Sequence, residues 1–384
     1  MTTSDPQSPD GPTPDGAAAR VWVGTYPADG ASAEAGTGEG IWRVDVDLVR
    51  GTISGALATV APAPSFLASS TDRRTLYAVG ETAPGTVSCF SVDPGGALAL
   101  RDQVSSGGDH PCHLLLAPDG RTLYVSNYST GTVGVLPIDG DGGFAEGVRS
   151  AGAPTQVLTH EGTGPVADRQ AGPHAHAAVL TPDGSHVLVA DLGTDELRRY
   201  RRAADGSLTP DGVATTLPPG TGPRHMVFST GGDHLYVTGE LSAAVLVLTW
   251  DTAASTGAVA QVLPVGASAS GDGEGDLPAH LALAGDRLLV SVRGADELAA
   301  FDVDDGLLRA AGTVPAGRWP RHFAALGGGD LVVGAAERGH ELVSFGRPAR
   351  AGRHAAPTAE PLVRAAVWHV SSPACVVPAV VVDH

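Results

Sequence analysis

Two kinds of position along this chain collect the side chains that could do chemistry. One lies just after a recurring proline, giving His113, His174 and His176, Arg224 and His225, His280, and Arg321 and His322. The other is the end of the apolar run that comes next, giving Tyr26, Glu81, Asn127, Tyr128, Asp191, Glu240, Arg293 and Glu337. Imidazoles and carboxylates can take a proton from water, and guanidiniums can hold an anion or a developing oxyanion. These types together suit attack of water on an acyl group, provided a fold brings distant segments to one place.

The elements that must do so repeat. The proline signal stands at Pro64, Pro111, Pro173, Pro223, Pro278, Pro320 and Pro373, a spacing of roughly 40 to 60 residues that marks a radial or solenoid array. Second apolar runs follow at 75–79, 122–125 and 234–237, third runs at 86–90, 132–135, 196–200, 244–248 and 297–301, and weaker fourth runs such as 206–208. Pro-Asp-Gly turns at 118–120 and 182–184 are hairpin chemistry, and no helical period is present. The pattern predicts an all-β, seven-bladed β-propeller with four antiparallel strands per blade.

The repeat is offset. The chain enters with second- and third-type strands at 20–23 and 41–44, and the first-type strand they lack is supplied by 373–377. A ring closed by this C-terminal inner strand has no exposed sheet edge at the seam. First strands line the channel and second strands run antiparallel to them, so the chemical positions above converge on one mouth.

Composition sets limits. No lysine occurs among 384 residues, and the net charge of −18 argues against nucleic acid or an anionic membrane as partner. Any bound anion must meet a local Arg and His cluster. Residues 1–19 read as a disordered tail and 20–384 as one propeller domain. Without an apolar leader or a stretch of about 20 apolar residues, a soluble cytoplasmic protein is expected, as a monomer or weak homodimer. Cys89, Cys112 and Cys375 fall in strands without metal-ligand spacing, so buried thiols are expected, with no metal and no cofactor.

The histidine two residues after proline, at 113, 225, 280 and 322, has two readings: a group at the mouth, or an architectural residue bonded to a neighbouring blade's backbone. His174 and His176 depart from that spacing, and a bulge there would re-aim them.

The segment 162–176, with Gly164-Pro165, Arg169-Gln170 and Gly172-Pro173-His174-Ala175-His176, continues through Pro182-Asp183-Gly184 to Asp191-Leu192-Gly193-Thr194-Asp195. Together with Gly222-Pro223-Arg224-His225, Gly239-Glu240-Leu241-Ser242 and Arg293-Gly294-Ala295-Asp296, it resembles the seven-bladed propeller lactonase family of 6-phosphogluconolactonases and carboxy-cis,cis-muconate cyclases. The resemblance runs from about residue 20 to 380. It implies a catalytic group of His174 or His176, Arg224, Glu240 and Arg293. Beside them, His113, Asn127, Arg169, His225, Arg321 and His322 are expected to contact a small anionic lactone. Gly239 stands where the family usually has Asn.

The expected activity is hydrolysis of a sugar lactone, 6-phosphogluconolactone in the oxidative pentose phosphate route. Glu240 or His176 would be the base, Arg224 and Arg293 the electrostatic partners, and Arg321 with nearby histidines a grip on phosphate. The alternatives are a muconolactone-type cyclase and a non-catalytic propeller scaffold; aromatics at 5% weigh against the scaffold. Charges at a wet mouth would contribute little to folding, so loss of Arg224 or Glu240 is expected to cost turnover and not stability.

Overall fold

The computed structural model describes residues 18–26, 36–266, 275–347 and 361–379. They form seven four-stranded antiparallel sheets, the blades of a propeller. In blade four, for example, Ala175–Leu180 lines the channel and His186–Asp191, Glu196–Arg202 and Leu208–Thr216 follow outward. The expected tail lies outside the described residues up to residue 17, and the first strand begins at Ala18, two residues before its expected start.

Blade packing explains the apolar runs. A second strand such as Thr75–Gly80 is buried along its whole length because neighbouring blades cover both its faces, whereas the outer strand Ile53–Val60 is mostly exposed. Tyr77 and Val79 of blade two pack with Leu123 and Val125 of blade three, and Leu188 of blade four with Leu235 of blade five. The tyrosine in these strands also reaches the next blade: Tyr77, Tyr124 and Tyr236 donate their hydroxyls to the carbonyls of Gly142, Gly206 and Gly306 at 2.6, 2.9 and 3.0 Å.

Closure follows the offset repeat. Pro373–Pro378 pairs with Ala18–Thr25, with Val23 opposite Val376 and Gly24 opposite Cys375. Val21, Val23 and Val376 then join Val333 and Leu342 of blade seven in one apolar cluster across the seam. Deleting residues 371–384 is expected to abolish cooperative unfolding in calorimetry, since blade one loses its inner strand and Ala18–Thr25 becomes an open edge. A truncated protein that melts as the full chain does would refute closure by this strand.

Two short elements depart from the all-strand reading, one of them a single 3-10 turn at Gly327–Gly329. A six-residue helix, Glu146–Ala151, interrupts the way to the outer strand of blade three, which shrinks to Gln156–Leu158. Only Val148 of this helix is buried, so the sequence carries no helical period to find.

Candidate active site

The inner strands do more than line the channel. Pairing between first and second strands skips a residue in six blades, at Gly24/Thr25, Pro111/His113, Ala175/Ala177, Pro223/Met226, Pro278/Leu281 and Pro320/His322. The bulge expected only at 174–176 is therefore a property of nearly the whole ring. In a regular strand, successive side chains point to opposite faces. The bulge lets both Arg224 and His225 face inward, the arginine into a cavity at the channel mouth and the histidine into the channel beneath it.

Two aspartates hold the loops that enter these strands. Asp191 accepts the backbone N–H groups of His174, Gly193 and Thr194 on Oδ1 at 2.9, 2.9 and 3.1 Å, and meets His160 through Oδ2. Asp195 accepts Gly222 N–H on Oδ1 and Gly220 N–H on Oδ2, both at 2.7 Å, so it fixes the turn that delivers Arg224. Gly193 has no alternative, because a Cβ there would sit 1.9 Å from the Gly172 carbonyl oxygen. The Asp-Leu-Gly-Thr-Asp segment thus positions the site without entering it.

The cavity has a volume of about 520 Å³. Its charged lining is Arg169, Arg224, Arg293, Arg321 and Arg338 against Glu81, Asp168 and Glu240, a local excess of cations in an acidic protein. His174, His176, Tyr26, Tyr128, Cys112 and Trp319 complete most of the wall.

Glu240 is the hub. Its Oε1 accepts Arg169 Nη2 at 2.7 Å, and its Oε2 lies 2.6 Å from Arg293 Nη2 and 3.0 Å from Arg224 Nε. Burial alone would raise its carboxyl, but Arg293, Arg224 and Arg169 outweigh burial and hold it well below the usual range. So clamped, Glu240 is a poor base and a strong organiser of guanidiniums. Burial and the neighbouring Arg293 lower Arg224 to about 9, still cationic at neutral pH. Its Nη1 donates to the Ala279 carbonyl at 2.7 Å, while Nε, though near Glu240, is not aligned for a hydrogen bond with any described residue.

The two histidines differ. His174 Nδ1 stands 2.8 Å from the Tyr128 carbonyl oxygen, which can only accept, so Nδ1 carries the proton and Nε2 the lone pair. Its ring stacks on Tyr128 at 4.5 Å. His176 is buried with Nδ1 3.8 Å from Cys112 Sγ, and burial together with Arg224 keeps it neutral, well below the ordinary imidazole range.

The structure gathers His174, His176, Arg169, Arg224, Glu240, Arg293 and Arg321 around one cavity. It does not bring Asn127, His113, His225 or His322 to its wall. Asn127 spends its amide on Ser106 O and Thr132 Oγ1 at 3.2 and 3.0 Å, inside blade three. His113 accepts Ala178 N–H and His322 accepts Val376 N–H, at 3.4 and 3.3 Å, which is the architectural reading: a bond to the neighbouring blade's backbone. His225 sits in the channel with Nδ1 2.9 Å from His280 Nδ1. Burial drives these imidazoles neutral, so they offer no charge to a phosphate. The cysteines are free and buried as expected.

Sequence reasoning left out Trp319, whose ring lies 5.6 Å from the Arg293 and 3.5 Å from the Arg338 guanidinium carbon. Its position directly before Pro320 was the available signal. Asp296 accepts Trp319 N–H at 2.7 Å, repeating the loop-holding role of Asp195 two blades on.

The blades thus close a ring with one cation-rich cavity at a channel mouth. Residues 20–377 match the family model described as the seven-bladed β-propeller lactonase, and the chain belongs to that family. It is 30% identical to the 6-phosphogluconolactonase of Bacillus subtilis over 86% of this chain and 92% of that one. Among solved structures it is similar to the periplasmic gluconolactonase of Pseudomonas aeruginosa, with a TM-score of 0.80 and 31% identity over 94% of this chain and 99% of that one. A Lactobacillus plantarum protein superposes with a TM-score of 0.81 at 26% identity, covering 94% and 99% of the two chains. No helix among the described residues is long and apolar enough to cross a membrane.

Proposed function

We propose that this cavity hydrolyses 6-phosphogluconolactone to 6-phosphogluconate. The observation that carries the reading is the Glu240 clamp, which holds Arg224 and Arg293 on the wall of a cavity that His174, its Nδ1 tied to the Tyr128 carbonyl, also lines. In this reading His174 Nε2 takes a proton from water as its oxygen adds to the lactone carbonyl carbon. Arg224 and Arg293 hold the oxygen that becomes negative, and Glu240 keeps both in place. His174 therefore replaces Glu240 and His176 as the base.

Arg321 supports a phosphorylated substrate. It lines the cavity, pairs with Glu337 at 3.2 Å and lies 4.8 Å from the Tyr26 ring centre, so a guanidinium is fixed beside the reaction centre with no part in the Glu240 clamp. The Bacillus relative is named for the phosphorylated lactone and the Pseudomonas one for the unphosphorylated, and the arginine excess favours the former. A cytoplasmic setting goes with that substrate, since a charged sugar phosphate is costly to move through hydrocarbon.

The test is acid release in a pH-stat with freshly made 6-phosphogluconolactone and with gluconolactone. Wild-type protein is expected to prefer the phosphorylated lactone by at least tenfold in kcat/KM, and Arg321→Ala to erase most of that preference. Equal turnover of the two would shift the substrate to a neutral sugar lactone, and no acid release from either would overturn the hydrolase reading.

A further inference from the structure

Across the channel from Glu240 stands a second buried carboxyl with the opposite surroundings. Glu81 ends the second strand region of blade two and Glu240 that of blade five, so three blades of seven separate them around the ring. Both line the same cavity and both are about as inaccessible, 4% and 3% exposed. Glu240 has three guanidiniums within 3.0 Å. Glu81 is instead bonded by two neutral hydroxyls, Tyr26 Oη at 3.2 Å on Oε1 and Ser65 Oγ on Oε2. Arg321, on the same cavity wall, makes its ion pair with Glu337.

We propose that Glu81 is the general acid of this site, carrying the proton that the lactone ring oxygen takes as its bond to the carbonyl carbon breaks. A neutral carboxyl fits its surroundings fully: Tyr26 O–H donates to Oε1, and the acid O–H can donate to Ser65 Oγ, which accepts as readily as it donates. Burial raises the carboxyl in the same direction. One site then holds two carboxyls pushed apart in acidity, the arrangement that separates acid from base roles.

The placement also matches the substrate. Below the cavity, Glu81, Ser65 and Arg224 border a hollow of about 10 Å³, the room of one water, so Glu81 lies close to the group that holds the carbonyl oxygen. In a 1,5-lactone the ring oxygen is bonded to the carbonyl carbon. In the 6-phosphate only two carbons separate that oxygen from the phosphate ester oxygen. A site that holds the carbonyl at Arg224 and the phosphate at Arg321 brings the ring oxygen to Glu81, which is packed with both.

The step balances. Water's oxygen bonds to the carbonyl carbon, and its proton goes to His174 Nε2. The carbon–ring-oxygen bond breaks, its electron pair stays on oxygen, and the Glu81 proton caps it. The proton on His174 then passes through solvent to the Glu81 carboxylate, which Tyr26, Ser65 and Arg321 stabilise meanwhile. The product is the open hydroxy acid.

The inference rests on the lactonase reading, and the experiment separates the two. Glu81→Gln keeps shape and hydrogen bonding but has no proton to give. On 6-phosphogluconolactone its kcat is expected to fall about a hundredfold or more with KM nearly unchanged, and the alkaline limb of the wild-type pH profile to vanish. Glu81→Asp should restore part of the rate and that limb, which a purely structural role would not do. The infrared difference spectrum of wild type against Glu81→Gln should contain the C=O band of a protonated carboxyl at neutral pH. Active wild type with unimpaired Glu81→Gln, or the absence of that band, overturns the assignment of Glu81 alone. Wild type inactive on every lactone overturns the hydrolase reading and this assignment with it. If the Gln variant does not fold, the Asp variant decides by its pH profile.

Discussion

Glu240→Gln is expected to lose both activity and stability, the first by about a hundredfold or more in kcat/KM and the second by about 3–5 kcal/mol. The activity term follows from geometry. Glu240 fixes Arg224 and Arg293, and a displacement of catalytic groups by about 1 Å costs on the order of a hundredfold. The stability term follows from burial, because removing one partner of a buried ion network leaves the others uncompensated. Glutamine keeps the volume, so packing does not confuse the result.

The pH dependence gives the same prediction a second reading. Glu240 in the folded protein ionises well below its ordinary value of 4.5, so its contribution to stability is present above about pH 4.5 and fades as pH falls through its folded value. The difference between wild type and Glu240→Gln should therefore be full at neutral pH and stay constant over the whole range in which both remain folded. Arg224→Ala should show the other balance: a loss of about a hundred- to a thousandfold in rate from the missing oxyanion partner, with a smaller stability loss because Arg169 and Arg293 still neutralise Glu240. Calorimetry and lactone turnover on the two variants check both. If Glu240→Gln melts as wild type does, these charges are solvated and the clamp is wrong.

That outcome would revive what the sequence suggests, namely charges at a wet mouth with little part in folding. The structure buries Arg224, Glu240 and Arg293 to 6% exposure or less, and the reason lies in the bulges. A residue count along a strand shows which face a side chain takes only while the pleat is regular. Pro223 opposite Gly239 and Met226 opposite Val237 leave Arg224 and His225 off the ladder, and no local sequence pattern states how deep each then sits. The ring itself was legible because it is written in repeats: seven proline signals, and the missing inner strand found at the far end of the chain. The Arg224, Glu240, Arg293 and Pro-His-x-His positions were legible from their place in the repeat and from the family resemblance. Asn127 was not, since an amide that bonds Thr132 five residues on looks in sequence like one that faces a substrate. Glu81 stood among the strand ends, but its partners Ser65 and Tyr26 come from other parts of the chain. Nothing local distinguishes it from Glu337, which meets Arg321 instead.

Acid should unfold this protein near pH 5, above the range in which carboxylates are usually titrated. His113, His225, His280 and His322 pack with Phe66 into the channel below the cavity and His176 of the cavity wall joins them: His280 stacks on His322 at 3.8 Å, His113 lies 4.5 Å from the Phe66 ring, and His176 and His225 meet at 5.4 Å. Arg224 and Arg321 overhang them. Burial first, then Arg224 or a neighbouring imidazole, lowers every one of the five, His113 and His322 to about 3. The unfolded chain takes up protons at about 6.5, before the folded protein does. Stability is therefore complete above that pH and falls below it, by about 1.4 kcal/mol per pH unit for each histidine once the unfolded chain is charged. The pull of the five groups adds in one direction, so a domain with a typical stability of about 5–15 kcal/mol should lose much of it by pH 5. The Nδ1 atoms of His225 and His280, 2.9 Å apart, make a hydrogen bond only while one of them is unprotonated, so charging both breaks it. Chemical denaturation from pH 8 to 5 measures the slope, and His280→Phe should reduce it by about one proton. A stability that stays flat down to pH 5 would show that these imidazoles titrate freely, and the buried plug would have to be given up.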